Sequence, residues 1–414
     1  MKKTFYGWWV LLGLCLIYAG TNGFGINTIS PLFLPAAAKQ YNWNVADVQK
    51  APFLMFVIIA VLAPFVGRIL DRVSAKRLML FGGISIALSF LGFQFITTLT
   101  GLNIYYMLYS TALAFGGILT SMYILRQWFN KKLGLAIGIF LNASSFGGAV
   151  FAPIAGYLIK TEGWRTAMTS MSLIVAVLFV IIPQFLIKNR PSDVGEYPDG
   201  EGIDEAQMSQ KTAALRAGVT LPQALKSFQF YLLLIVTAAL WFAFTGFLTN
   251  QGFYFKDLGL DPFETGKISS IYLTFAILGK IGFGYLGDRF DKKRILLISI
   301  FNFTLGVLIL KLSLQNHDLV LPFAVLYGLG YSGVFTMIQV LVAEYYQGPN
   351  YGSILGVVVM IDTLAGAGGI ISLGQIRKSA GSYDPAFTLM LGLCVAACAA
   401  AFFIKKPIQK LQSE

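Results

Sequence analysis

Histidine is almost missing from this chain of 414 residues: there is one, His317, beside 35 phenylalanines and 19 tyrosines. Cysteine numbers only three, and charged residues make up 12% of the sequence, where a soluble domain carries about 25%. Each shortage excludes something. A single histidine in the loop "LQNHD" reads as a solvated side chain and not a metal ligand, so no metal is expected. Cys15, Cys394 and Cys398 all fall in apolar runs, where a thiol behaves as a small hydrophobe, so a disulfide framework is not expected. No glycine-rich phosphate loop followed by Lys-Ser or Lys-Thr occurs, and no Ser/His/Asp, Cys/His or paired-carboxylate site can be assembled. The residues therefore argue against an enzyme, against a bound cofactor and against primary energy coupling.

What the chain has instead is hydrocarbon. Hydrophobic residues make up 56% of it, and apolar runs of about 20 residues, the length that crosses a hydrocarbon layer of about 30 Å, recur along nearly its whole length. They lie near Trp8 to Leu34, Val48 to Leu70, Leu78 to Thr98, Ile104 to Trp128, Leu133 to Ile159, Ala167 to Ile187, Phe228 to Phe255, Ile268 to Leu286, Ile295 to Leu312, Leu319 to Ala343, Ser353 to Leu373 and Ala386 to Ile404. Twelve transmembrane helices put both termini on one side. No small-residue cleavage site follows the first run, which is expected to stay in place and not to act as a signal peptide. With cytoplasmic termini, 21 of the 31 Lys and Arg residues fall in inner segments, as the positive-inside rule requires. The formal charge of +12 is thus mostly topology, and no nucleic-acid partner is needed to explain it.

A repeat underlies the twelve runs. "DRVSAKRLML" from Asp71 and "DRFDKKRILL" from Asp288 share an Asp-Arg pair, a Lys-Arg pair and a leucine at a constant offset, and Gly67 and Gly284 each stand four residues before the acid. The expected organisation is a six-helix bundle over residues 1–190, a polar, acidic cytoplasmic linker over 191–226 and a second six-helix bundle over 227–414. A short amphipathic helix is expected around Met208 to Leu215 of the linker. Two parallel six-helix repeats are a transporter design, in which the halves rock about a site near the bilayer midplane.

Gly67, Asp71, Arg72 and the Lys76-Arg77 pair, repeated after the eighth run as Gly284, Asp288, Arg289 and Lys293-Arg294, resemble the loop signature of the major facilitator superfamily. The resemblance implies that these charges latch one side of the molecule. "QWFNKKLGLAIGIFLNASSFGGAVFAPIAGYLIKTEGWRTAM" (Gln127 to Met168) and "YGSILGVVVMIDTLAGAGGIISLGQIRKSAGSYDPAF" (Tyr351 to Phe387) are similar to the monocarboxylate porter and oxalate/formate antiporter branch. Gly163 to Arg165 and Gly381 to Tyr383 open the helices that return inward. The fold expected is therefore all-α, with two pseudo-symmetric bundles, acting as a monomer in the lipid bilayer of a cell membrane, the bacterial inner membrane in particular.

Two charges stand inside apolar runs. Lys280 lies eight residues before Asp288, about 12 Å deep, and its stem of about 6 Å falls short of the interface. A charge there costs about 2.5 to 3.5 kcal/mol even on the lenient insertion scale, so such residues face a cavity or a partner. The resemblance adds a role: carriers of this branch place a basic residue, typically arginine, at this level of the eighth helix to meet the substrate carboxylate. Asp362 lies 11 residues, or about 16 Å, into its helix, and reads either as a proton-coupling site or as a group fixing a helix loosened by Gly366, Gly368 and Gly369.

Here the chain also departs from the branch. The oxalate carrier has a second basic residue where this chain has Asp362. Animal monocarboxylate carriers have an aspartate where this chain has Ala276, and a first-helix lysine that is absent around Pro31 to Leu34. One positive and one negative group suit a monoanion moving with a proton, or a zwitterion, better than a dianion.

Further candidates for substrate contact are Tyr331, Phe335, Asn22, Asn27, Tyr123, Asn142, Ser144 and Trp241, with Tyr327 in line with Tyr331 and Phe335 at a spacing that equally means packing. Arg126 and Glu344 close equivalent helix ends and are expected to partner the charges of the gate. The reading is a secondary transporter of a small monocarboxylate by proton symport. An organic-anion exchanger or zwitterion carrier is the alternative within the class, and a transport-inactive membrane sensor the alternative outside it.

Overall fold

A bilayer core offers no water to a peptide group, so each segment that crosses it must close its own hydrogen bonds; long helices do this within one segment. The computed structural model describes residues 5–23, 30–43, 50–200, 218–260 and 262–406, and within them the chain is helical in nearly every apolar run. The helices are α1 (Gly7–Gly23), α2 (Ser30–Tyr41), α3 (Lys50–Leu70), α4 (Ala75–Phe93), α5 (Leu99–Gly116), α6 (Ile118–Trp128), α7 (Leu133–Ala176), α8 (Ile182–Phe185), α9 (Leu221–Lys226), α10 (Phe228–Asp257), α11 (Pro262–Arg289), α12 (Lys292–Leu312), α13 (Val320–Tyr345), α14 (Tyr351–Ala380) and α15 (Asp384–Phe403). Among the described residues, ten helical stretches are long and apolar enough to cross a membrane, and the shorter apolar helices Gly7–Gly20 and Leu133–Gly147 accompany them. The linker helix expected at Met208 to Leu215, Asn27 and the side chain of Asn22 lie outside the described residues.

The two runs on either side of Gly163 form two helices that meet in α7 without an intervening loop. Its helical geometry fails at Gly163, where φ is 82° and ψ is 159°, and the chain turns there into the returning span. Only glycine adopts that geometry without a Cβ penalty. The equivalent corner between α14 and α15 turns on Gly381, with φ 74°. Beside each glycine an arginine fastens the corner. Arg165 donates to Gln40 Oε1 (3.1 Å), to the Tyr41 hydroxyl and to the Gln94 carbonyl (2.9 Å), and lies over the Trp164 ring. Arg377 grips Asp257 with two hydrogen bonds of 2.7 and 2.6 Å.

By proximity the chain groups into two compact units. The first holds Met1–Lys131, Ile139–Thr212 and Gly352–Met360; in it α5 packs against both α3 and α4. The second holds Lys132–Gly138, Ala213–Tyr351 and Ile361–Glu414. Its centre is α13, which packs along α11 and α12 and buries Tyr327 completely among Phe247, Phe303 and Phe323. Tyr327 is thus a core residue, and its alignment with Tyr331 reflects packing.

The repeated loop acids have concrete partners. In the first unit Asp71 accepts from the backbone N–H of Gly352 (2.8 Å) and Ser353 (3.0 Å) and from the Ser353 hydroxyl (2.5 Å). In the second unit Asp288 accepts from the N–H of Gly134 (2.7 Å) and Leu135 (2.8 Å). Each carboxylate thereby covers donors that the first turn of α14 or α7 leaves open, at the end where the helix dipole favours negative charge. Glycine makes the approach possible: a Cβ on Gly67 would overlap the Gly352 carbonyl, and one on Gly134 would overlap that of Gly284.

Two outcomes are expected. Gly67→Ala forces backbone away from backbone and should cost about 1–3 kcal/mol, read as a lowered thermal-unfolding midpoint in detergent, while Gly156→Ala, whose Cβ meets nothing, should leave the midpoint in place. Burial, partly offset by the Ser353 and Gly352 hydrogen bonds, holds the Asp71 carboxyl above its ordinary value. The native state then binds more protons than the unfolded one at this site, so Asp71 costs stability as pH rises through the carboxylate range. Asp71→Asn should remove that component of the pH dependence of unfolding; a component of the opposite sign would mean that the hydrogen bonds outweigh burial.

Candidate functional site

Asp362 and Lys280 occupy helices of the second unit, α14 and α11, and both are buried, at 5% and 3% exposure. A carboxylate taken out of water needs a donor, and Asp362 finds one on α10. The Thr237 hydroxyl donates to its Oδ1, and the Trp241 side chain lies beside it. Thr237 and Trp241 are four residues apart, so they share one face of α10. Thr245 continues that face, and its hydroxyl oxygen is buried with no hydrogen-bond partner among the described residues. It sits beside Gly366, and a Cβ on Gly369 would overlap the Phe242 carbonyl. The glycines after Asp362 therefore bring α14 against α10, and Asp362 is fixed by side chains of α10.

Lys280 is not among the hydrogen-bond partners of Asp362 in the described residues. Its backbone is pressed by Gly138, where a Cβ would overlap the Lys280 carbonyl, so glycine at 138 lets the start of α7 reach this turn of α11. One turn further along α11, Gly284 meets Gly134 in the same way. The ammonium thus belongs to a stretch of α11 held by backbone contact on one side and by α13 on another, where Gly279 faces Leu329 and Ser332.

Trp241 joins Asp362 to a group of rings. Its indole meets Phe335 edge-on at 5.3 Å and Phe244 at 5.7 Å, and Phe244 stacks on Tyr331 at 4.1 Å. With Leu240, Phe303, Val334 and Ile338, these rings line a cavity of about 20 Å³ between α10 and α13. That is room for a group about the size of one water molecule. Of the residues read from sequence, the structure brings Trp241, Tyr331 and Phe335 together here. Phe244 and Thr237 escaped the sequence reading because both stand in an unbroken apolar run, where nothing separates a wall of a cavity from a core residue.

The other candidates lie apart from this group. Tyr123 and Arg126 are half-buried on α6, and Asn142 is half-buried on α7 in the first unit; the Ser144 hydroxyl turns back to the Leu141 carbonyl at 2.8 Å. Glu344, in the last turn of α13, pairs with Lys292 at 2.7 Å and reaches Lys406 at 4.0 Å. Arg72 and Arg289 are exposed, and Arg289 lies over the Tyr285 ring. Among the described residues, no group of His, Cys, Asp or Glu side chains is arranged to hold a metal.

Comparison with known proteins places this geometry. The chain is 24% identical over 406 residues to the uncharacterized MFS-type transporter YcxA of Bacillus subtilis (strain 168), with 94% of this chain and 91% of that one covered. It is 23% identical over 393 residues to monocarboxylate transporter 13 of Bos taurus, covering 92% and 86%. Among solved structures, the human organic anion transporter MFSD10 superposes with a TM-score of 0.73 over 97% of this chain and all of that one, at 15% identity. The transporter FucP in its outward conformation gives 0.71 over 96% and 99%, at 12% identity. The profile described as Major Facilitator Superfamily matches residues 15–266 and 233–414, and the chain belongs to that superfamily, a family of membrane transporters and not of enzymes.

Proposed function

We propose that the protein carries a small monocarboxylate across the membrane together with a proton, by alternating access. The observation that carries this reading is the pair of buried ionisable groups on two helices of one unit, a cation at Lys280 and a carboxylate at Asp362, each at 5% exposure or less. Charges inside membrane spans are expensive and mark substrate or ion pathways. Lys280 offers a point charge for one carboxylate, and Asp362 takes the proton. With an anion beside the ammonium of Lys280 and a proton on Asp362, the loaded site carries no net charge, which lowers the cost of carrying it through hydrocarbon.

The arrangement around Asp362 supports a proton role over a purely structural one. Among the described residues its neighbours are a hydroxyl that donates to it and an indole beside it, neutral groups that accompany the carboxyl in either protonation state. The buried Thr245 hydroxyl, two turns past Thr237 on the same face of α10, lies against Gly366, one turn beyond Asp362 on α14. Relatives named monocarboxylate transporters support the choice of substrate class. An organic-anion exchange without proton movement is the second reading.

Lys280→Ala in proteoliposomes should reduce uptake of the carried acid by at least about 30-fold, the lower end of what loss of one partner of a buried charge pair costs. Uptake near the wild-type rate from a variant with an unchanged unfolding midpoint would remove Lys280 from the anion site. Asp362→Asn should abolish accumulation driven by an imposed pH gradient while counterflow exchange of labelled for unlabelled acid continues. Full pH-driven accumulation in that variant would reassign Asp362 to the packing of α14 on α10.

A further inference from the structure

We infer that the ring-walled cavity between α10 and α13 seats the apolar body of the carried acid, so that the substrate is a monocarboxylate with a hydrocarbon chain or ring and not formate, oxalate or a hydroxylated acid. This rests on the carboxylate-transport reading above and narrows it. The cavity walls are Leu240, Val334, Ile338 and the rings of Trp241, Phe244, Phe303, Tyr331 and Phe335. Such a wall has little with which to solvate a carboxylate or a substrate hydroxyl, and burying either without a partner is unfavourable. It does reward hydrocarbon: filling an apolar cavity recovers dispersion contacts that its lining otherwise lacks.

Two features fix which end of the molecule enters. Neither Asp362 nor Lys280 lines the cavity, so no charged side chain forms part of the wall between the rings. An anionic head finds no counter-charge there, and burying it unpaired is unfavourable. Aromatic walls near a carboxylate are also the recipe for an organic cation. Here, however, Asp362 is already engaged by the Thr237 hydroxyl, and Trp241 meets Phe335 and Phe244 at 88° and 76°, edge against face, which leaves no open ring cage. The room of about 20 Å³ admits a methyl-sized group without rearrangement, and longer bodies by turning the Trp241 or Phe335 side chain, both of which are only half-buried.

The test uses the purified full-length protein at one pH, with unfolding-midpoint shifts and competition for uptake read across formate, acetate, propionate, butyrate and phenylacetate, and with lactate and tetramethylammonium as probes. Apparent affinity should rise about fourfold for each added methylene from acetate to butyrate, the gain expected for burying one such group, and propionate should exceed lactate. Val334→Thr, which keeps the volume and adds a hydroxyl to the wall, should shrink the propionate-to-lactate ratio at least threefold; Phe335→Leu should flatten the methylene series. A flat series, or lactate binding at least as well as propionate, overturns this inference and leaves the carboxylate reading standing. No carboxylate acting on the protein, whether or not tetramethylammonium does, overturns both.

Discussion

An unsatisfied peptide group in hydrocarbon costs several kcal/mol, and that single penalty organises the molecule. It makes each crossing a helix, and it makes the ends of those helices the places where chemistry is needed. The first turns of α7 and α14 each present open N–H donors, and in each case the donors are covered by a carboxylate from the repeated loop sequence, Asp288 and Asp71 respectively. The same penalty explains the glycines beside those acids. A carboxylate reaches a helix end only if two backbones come within contact distance, and Gly67, Gly134, Gly284 and Gly352 are the positions where a side chain would block that approach.

Small residues do the same work at the centre of the second unit. Gly366 and Gly369 let α14 lie against α10 closely enough for Thr237 and Trp241 to reach Asp362, and Gly138 and Gly279 let α11 be held from two sides at Lys280. The ionisable groups are therefore mounted on rigid backbone contacts, while the side chains beside them, Trp241, Phe244 and Phe335, are half-buried around a small void. Fixed charges with adjustable apolar neighbours suit a binding site that must hold an ion firmly and still let its organic part enter and leave.

Much of the fold was legible in the sequence because membrane spans are long and their signal is coarse: about 20 apolar residues, interrupted by short basic connectors. The repeat was legible because it placed the same acid and glycine at one offset. Boundaries were less so. Gly163 separates two helices, as its place between two apolar runs suggests, but the positive-φ corner by which they meet without a loop is a matter of one residue's torsion that composition does not register. For the site, Lys280, Asp362, Trp241, Tyr331 and Phe335 stood out as charges or rings at helical spacing. The partners did not. Thr237 and Phe244 are ordinary in an apolar run, and only the packing of α10 on α13 and α14 gives them a neighbour. The relation of Asp362 to Lys280 was equally hidden, since two helices more than 80 residues apart in sequence carry no joint signal.

The central claim is that one monoanion and one proton move together. The most direct test is uptake into proteoliposomes under a potassium diffusion potential, with the pH gradient set independently. Paired movement is electroneutral: acid outside should drive uptake, and a potential of either sign should leave its rate unchanged. Uptake that follows the potential and ignores the pH gradient would contradict the account.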